Sequence, residues 1–274
     1  MTVNHVASKT TKRRSGTAVL KSVLLQAWLP VGLLVLVYFL SAQSTSFYFP
    51  SGEAVLSKTW QIWFPNGLIS ELVPSLLRVV VGFGLALVLG VGLGVVLGLF
   101  RSGELAVRPL TETLRAIPGV ALLPISMMFF GTGESMKLVM IVFVSMWPIV
   151  LTTIDGVRSV DPALKNVMDA FKLRPQERFR YVYLPAAMPQ IFSGARISLA
   201  IAVAVMVAVE MYGTPGGIGY FIRNAQQTFK ITDMWTGLVI LGIFGYLLNI
   251  AFRIIENRVL GWHQRMVKHV QGAA

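Results

Sequence analysis

Long apolar runs separated by short polar stretches dominate the chain. A membrane-spanning helix needs ~20 mostly apolar residues. Six runs meet or approach that length: Ser22–Leu40, Leu76–Phe100, Ile117–Phe130, Met136–Thr153, Pro189–Tyr212 and Trp235–Ile255. The third is short and contains Pro118 and Pro124, so it is expected as a kinked or partial span. The first is too long for the apolar region of a cleaved leader, and Leu40-Ser41-Ala42 is a poor cleavage site, so it is expected to remain as a span. The second run has a small residue at every fourth position: Gly82, Ala86, Gly90, Gly94 and Gly98. They share one helix face and let another backbone come close. The expected partner is a helix of the same subunit, with a dimer seam as the alternative. The predicted fold class is an all-α membrane protein with six transmembrane helices.

Composition agrees. Of 274 residues, 55% are hydrophobic and 13% charged, where a soluble domain carries about 25% charged residues. A soluble chain of this size has too little polar surface to cover so many apolar side chains. The absence of cysteine excludes disulfides, thiolate metal sites and cysteine nucleophiles. The three histidines, His5, His263 and His269, lie in the terminal tails. No histidine pair stands at metal-ligand spacing, so no metal is expected.

The formal charge is +12. It flanks the apolar runs, so it reads as membrane topology rather than nucleic-acid binding. Lys9, Lys12, Arg13, Arg14 and Lys21 precede the first run, and Arg101, Arg108 and Arg115 follow the second. Arg158, Lys165, Lys172, Arg174, Arg178 and Arg180 follow the fourth, and Arg253, Arg258, Arg265 and Lys268 mark the C-terminal end. These eighteen stand against four on the opposite side, Lys58, Lys137, Arg223 and Lys230. The imbalance predicts both termini in the cytoplasm, which six spans allow.

The basic connection 155–185 carries the most local information. Asp161 before Pro162 is a helix start, a capping carboxylate followed by proline at the first helical position. Ala163–Phe171 then reads as a short helix with Ala163, Leu164, Val167, Ala170 and Phe171 on one face. A second basic helical stretch, Gln176–Val182, follows a break. The apolar face of the first helix either lies on lipid or docks on a partner.

This connection resembles the cytoplasmic loop of permease subunits in binding-protein-dependent ABC importers. The family's E-A-A falls on Asn166-Val167-Met168, its glycine on Lys172 and its ending on Val182-Tyr183-Leu184-Pro185. Glutamate, both alanines and glycine are replaced, while Asp161–Leu164, Arg178–Arg180 and Leu184–Pro189 keep the pattern. Further resemblances are Pro74–Phe83, Leu114–Pro124, Gly131–Ser135, Val209-Glu210-Met211 and Gly216–Tyr220. Together they point to the branch that imports aliphatic sulfonates, taurine, nitrate and related small anions. Lysine in place of the loop glycine predicts that the helix runs past Lys172 and ends near Pro175, avoiding about 1–2 kcal/mol of left-handed strain.

The resemblance implies a type I ABC importer permease without covalent chemistry of its own. It implies a 1–21 cytoplasmic tail, a first transmembrane helix at 22–41, a permease core at 72–262 and a tail at 263–274. Two ATPase subunits dock on the coupling loop, holding ATP and Mg themselves. A second copy of the permease, or a homologue, completes the path, and an extracytoplasmic binding protein delivers substrate. Asn166, Val167, Ala170, Phe171, Lys172, Arg174 and Gln176 are the expected docking residues. Intramembrane ionisable groups are costly and default to functional candidates, here Arg78, Arg196 and Glu210. Glu210 lies near the outer face, where it either snorkels or binds a loop. Pro118, Pro124, Met127, Met128, Met206 and Met211 are the remaining candidates for the path or gate, although methionines more often simply pack. The polar segment Gly213–Asp233 is expected to be a loop facing the binding protein.

Two other classes compete. A stand-alone secondary transporter needs ionisable groups near the bilayer middle, and none of the twelve acids is placed there. An intramembrane enzyme needs a base beside Ser126 or Ser145, and no span supplies one. Gly52–Thr59 resembles a phosphate loop only by chance, since the second glycine is missing.

Overall fold

The computed structural model describes residues 46–262 continuously, with isolated positions between 28 and 44. The Ser22–Leu40 run and the two tails therefore lie outside the continuously described residues. Every regular element among the described residues is helical. In chain order these are α1 (Gly52–Ile62), a π-helical turn (Trp63–Leu72), α2 (Val73–Leu99) and α3 (Arg101–Ala116). A 3-10 turn (Gly119–Leu122), α4 (Leu123–Phe130), α5 (Glu134–Arg158) and α6 (Pro162–Ala170) follow. Then come α7 (Pro175–Arg178), a π turn (Phe179–Tyr183), α8 (Leu184–Tyr212), α9 (Ile218–Gln227) and α10 (Ile231–Val259).

Four stretches are long and apolar enough to cross a membrane: Asn66–Leu99, Glu134–Arg158, Pro175–Tyr212 and Ile231–Val259. They extend beyond the apolar windows because polar residues cap or begin them. Glu134 opens α5 and Asp233 lies in the first turn of α10, where a carboxylate is favoured by the helix dipole. A further pair of helical segments, Arg101–Leu114 and Gly119–Phe130, is bent by 88° and forms a broken crossing or a re-entrant loop.

The small-residue stripe of α2 seats α5 within the same chain. A Cβ on Gly82 would lie 2.6 Å from Ile141, on Gly90 2.9 Å from Ile149, on Gly94 2.5 Å from Thr153 and on Gly98 2.9 Å from Val157. The pairs rise together along both helices, so α2 and α5 run parallel. The chain must therefore return between Leu99 and Glu134, and the broken crossing does this. Helix α8 runs the other way: its Gly194 abuts Thr152 and Pro148, and Gly156 of α5 abuts Ala187. The core between these helices and α10 buries Val79, Met140, Ile141, Ala202, Met206, Val209 and Phe244. Trp63 is fully buried beneath α10, donating Nε1–H to Thr236 Oγ1 at 3.0 Å and meeting Phe221 edge to face.

Two expectations change here. The Gly213–Asp233 segment is not a plain loop, because it contains α9, whose buried Ile218, Ile222 and Ala225 alternate with polar residues at helical spacing. The α6 helix stops at Ala170 and does not continue toward Pro175. Lys172 takes the left-handed conformation, φ 52°. Its N–H donates to Asp169 O at 3.0 Å and that of Leu173 to Met168 O at 3.1 Å, the paired bonds that close a helix end. Arg178 offsets the strain, bonding the Leu173 carbonyl through Nε at 2.8 Å and Asp169 through Nη1 at 2.7 Å.

Candidate functional site

Three regions carry the chemistry. The first is a cluster of charges where the start of α2, the start of α5 and the end of α8 meet. Arg78 pairs with Glu210 at 2.6 Å and grips both oxygens of Glu134 at 2.6 and 2.7 Å. Glu210 is fully buried. It also accepts from Ser75 Oγ at 2.8 Å and from the Gly219 N–H at 3.0 Å. Lys137, also fully buried, donates to Glu134 at 3.0 Å and to the Thr214 carbonyl at 3.1 Å. Glu71 accepts from the Gly217 N–H at 2.9 Å.

Buried charges persist only when paired and hydrogen-bonded, and each of these is. The cluster also requires the glycines it holds. Gly216 and Gly217 have φ of 114° and 104°, and a Cβ on Gly217 would strike the Glu210 carboxylate. The result is a latch that ties three helix ends to the turn leading into α9. Arg78 and Glu210, both sequence candidates, meet here, and Glu210 binds the loop rather than reaching for solvent. Glu134, Lys137, Ser75 and Glu71 were not anticipated. Lys137 in particular reads as a loop charge in the sequence, since it lies one turn into α5.

The second region is the basic connection at the opposite end. Asp161 Oδ1 caps α6 by accepting from the Ala163 N–H at 2.7 Å. Met168 is buried, while the neighbouring apolar residues are bare, with Val167 48% and Phe171 76% exposed. Asn166, Ala170, Lys172, Arg174 and Gln176 are exposed beside them. The Arg174 N–H donates to Glu177 at 2.7 Å, starting a helical run that continues from Pro175 to Tyr212.

The third region is the broken crossing. A cavity of about 390 Å³ lies beside it, bordered by Pro118 and Gly119 on one side and Phe143, Trp147 and Pro148 of α5 on the other. Pro124 stands at the start of α4. Met127 packs on the core, Met128 is exposed and Met206 is fully buried in the core. The Met211 carbonyl accepts from Arg223. Arg196 pairs with Glu256 of α10, well away from the latch. The methionine candidates therefore do not converge on one site. Among the described residues, no group of three or more His, Cys, Asp or Glu is placed to hold a metal ion.

Comparison with known proteins gives this geometry its context. Residues 86–261 match the family described as "Binding-protein-dependent transport system inner membrane component". The nitrate import permease protein NrtB of Synechocystis sp. (strain ATCC 27184 / PCC 6803 / Kazusa) is 32% identical over 86% of this chain and 89% of its own. The permease protein SsuC of Escherichia coli (strain K12), named for aliphatic sulfonates transport, is 30% identical over 86% of this chain and 90% of its own. A structure of the MetNI methionine ABC transporter in an inward facing conformation shares the fold. It has a TM-score of 0.60 and 24% identity, and covers 68% of this chain and 92% of that one. The chain is thus a multi-pass membrane protein of the binding-protein-dependent transport system inner membrane component family, in the branch of ABC importer permeases related to those for sulfonates and nitrate.

Proposed function

We propose that the chain is the path-forming subunit of an ATP-driven importer for a small anion such as a sulfonate, taurine or nitrate. Both termini and the 155–185 connection face the cytoplasm, and the latch faces outward. Six spans, the first being Ser22–Leu40, satisfy this arrangement. Two ATPases, carrying ATP and Mg, grip α6 of two permease copies, and an extracytoplasmic binding protein delivers substrate at the latch end.

The observation that carries this reading is the bare face of α6. A helix with exposed Leu164, Val167 and Phe171 needs a cover, and a family member has one in its ATPase. The local geometry suits force transfer. Arg178 ties α6 to α7, and α7 runs without a break into α8. A displacement of α6 therefore moves α8, whose far end holds Glu210. Alternating access follows when the latch end opens as the α6 end closes.

The test is affinity capture of the tagged permease from solubilised membranes, wild type beside Phe171→Asp. The ATPase co-purifies with wild type and is lost from the variant. Wild type without an ATPase overturns the importer reading. An ATPase retained by both removes the Phe171 face from the docking surface.

A further inference from the structure

Helix α3 joins the end of α2 to the broken crossing, and its residues suit neither the bilayer interior nor open water. Arg101, Glu104, Arg108, Glu112 and Arg115 put a charge on nearly every turn, and an ionisable group inside a bilayer is costly. Pro109 lies within the helix and has no N–H, so the Leu105 carbonyl loses its usual donor. Water can replace that donor and lipid cannot. Water alone is an equally poor setting, because Leu110 is 57% exposed and Phe100, at the head of the helix, 65%.

The two kinds of residue lie on opposite sides. Leu110 stands two residues from Arg108 and nine from Arg101, about half a turn round the helix from both. Ala106 shares the side of Leu110, one turn earlier. Arg101, Ala106, Arg108 and Leu110 are all exposed. A third side faces the protein. Glu104 pairs with Arg158 of α5 at 3.2 Å, and Val107 and Thr111 border the same polar cleft. Arg158 also donates to the Leu97 and Gly98 carbonyls at 3.2 and 3.3 Å. The start of α3 is therefore held level with the ends of α2 and α5.

The direction of α3 follows from its neighbours. Because α2 and α5 are parallel, the chain returns between Leu99 and Glu134, and Gly119–Phe130 is the part of that return without a charge. Arg101–Leu114 stands at 88° to it. Extended backbone at Ile117 and Pro118, with ψ 122° at both, makes the corner. A helix perpendicular to a crossing and level with the ends of two others lies along the membrane surface. It does so at the Arg158 end, the cytoplasmic end in the proposed orientation, where the leaflet surface is negative. Glu104 is engaged by Arg158, so only Glu112 stands against Arg101, Arg108 and Arg115, and the helix is net positive.

We propose that α3 is an in-plane anchor on the cytoplasmic leaflet, with Ala106 and Leu110 among acyl chains and Arg101 and Arg108 among anionic lipid headgroups. The inference rests on the proposed orientation and adds a lipid partner to the permease.

The absence of cysteine makes each introduced thiol a reporter of one position. Inside-out membrane vesicles holding the assembled transporter are treated with a membrane-impermeant maleimide. Glu112→Cys is expected to react about tenfold faster than Ala106→Cys and Leu110→Cys, as an apolar side sunk in the leaflet requires. Fast reaction at all three puts α3 in water, and slow reaction at all three puts it inside the bilayer or the protein; either overturns the anchor. So do Leu110→Cys disulfides between copies, or protection that disappears when the ATPase is stripped away. For the headgroups, a fluorophore on Leu110→Cys is followed in vesicles of phosphatidylcholine and phosphatidylglycerol, with bromine on one lipid or the other. Brominated phosphatidylglycerol is expected to quench about twofold more than brominated phosphatidylcholine at equal mole fraction, and Arg101→Gln with Arg108→Gln to remove the difference. Equal quenching before those substitutions overturns the anionic preference. Failure of the permease reading itself shows separately, as wild type that captures no ATPase.

Discussion

A single carboxylate illustrates how much one residue holds at the latch end. Glu210 answers Ser75, Arg78 and the Gly219 N–H at once. Truncating it leaves Arg78, nearly buried, with only Glu134 and the Gly216 carbonyl and strands a backbone donor. Breaking a buried ion pair from one side costs about 3–5 kcal/mol, so Glu210→Ala is expected to lower the unfolding midpoint of the purified protein markedly. Glu210→Gln keeps an acceptor for Ser75 and Gly219 and is expected to recover part of the loss. In a cycle with Arg78→Ala the double variant should cost less than the two single losses added together, by about 0.5–3 kcal/mol. Strict additivity would show that the pair is not energetically coupled. The expense of a charge inside a span already singled out Arg78 and Glu210 from the sequence. The same rule passes over Glu134 and Lys137, because a charge in the first turn of a helix reads as a flanking charge until the helix end is known. Lys172 was misjudged for a different reason. Its left-handed cap is supported by Arg178, six residues onward, a contact that no local propensity reports.

At the scale of elements, the legible features were those with a single period. The four-residue stripe on α2 announces a close-packed face, and the structure fills it with Ile141, Ile149, Thr153 and Val157 of α5. A paired experiment measures this packing. Gly94→Leu drives a side chain into Thr153 and the Val150 carbonyl, whereas Gly92 has nothing within 4 Å of an added Cβ. Overpacking costs about 1–3 kcal/mol, so Gly94→Leu is expected to destabilise the purified protein and Gly92→Leu to leave it nearly unchanged. Equal effects would mean that helix propensity, not contact, governs the stripe. Helix α9 was hidden in the sequence because half of its short surface is polar, so hydropathy alone merges it with its flanking turns. The broken crossing was flagged by Pro118 and Pro124, but the size of its bend, 88°, is not set by the prolines' positions in the sequence.

At the scale of the whole molecule, topology and charge can be checked against each other. Helices α2 and α5 run parallel and α8 antiparallel, so Leu99, Arg158 and Leu184 share one end while Glu134, Tyr212 and Ile231 share the other. The first end gathers Arg101, Arg108, Arg158, Lys165, Lys172, Arg174, Arg178 and Arg180, and the second only Lys58, Lys137, Arg223 and Lys230. Of these four, Lys137 is buried against Glu134 and Lys58 faces Asp233 at 3.7 Å, which leaves still less free positive charge there. Short basic loops stay in the cytoplasm, so the imbalance supports the proposed orientation, with α6 inside and the latch outside. Alkaline phosphatase folds only where its disulfides form, outside the cytoplasm. Fused after Thr228 it is therefore expected to be active, and fused after Ser159 or Lys172 inactive. The opposite pattern would put α6 beyond the reach of any cytoplasmic ATPase and overturn the docking role together with the orientation. Activity after both Ser159 and Thr228 would instead mean that α8 does not cross the bilayer, although its helical run from Pro175 to Tyr212 is 38 residues long, ample for a hydrocarbon core of ~30 Å.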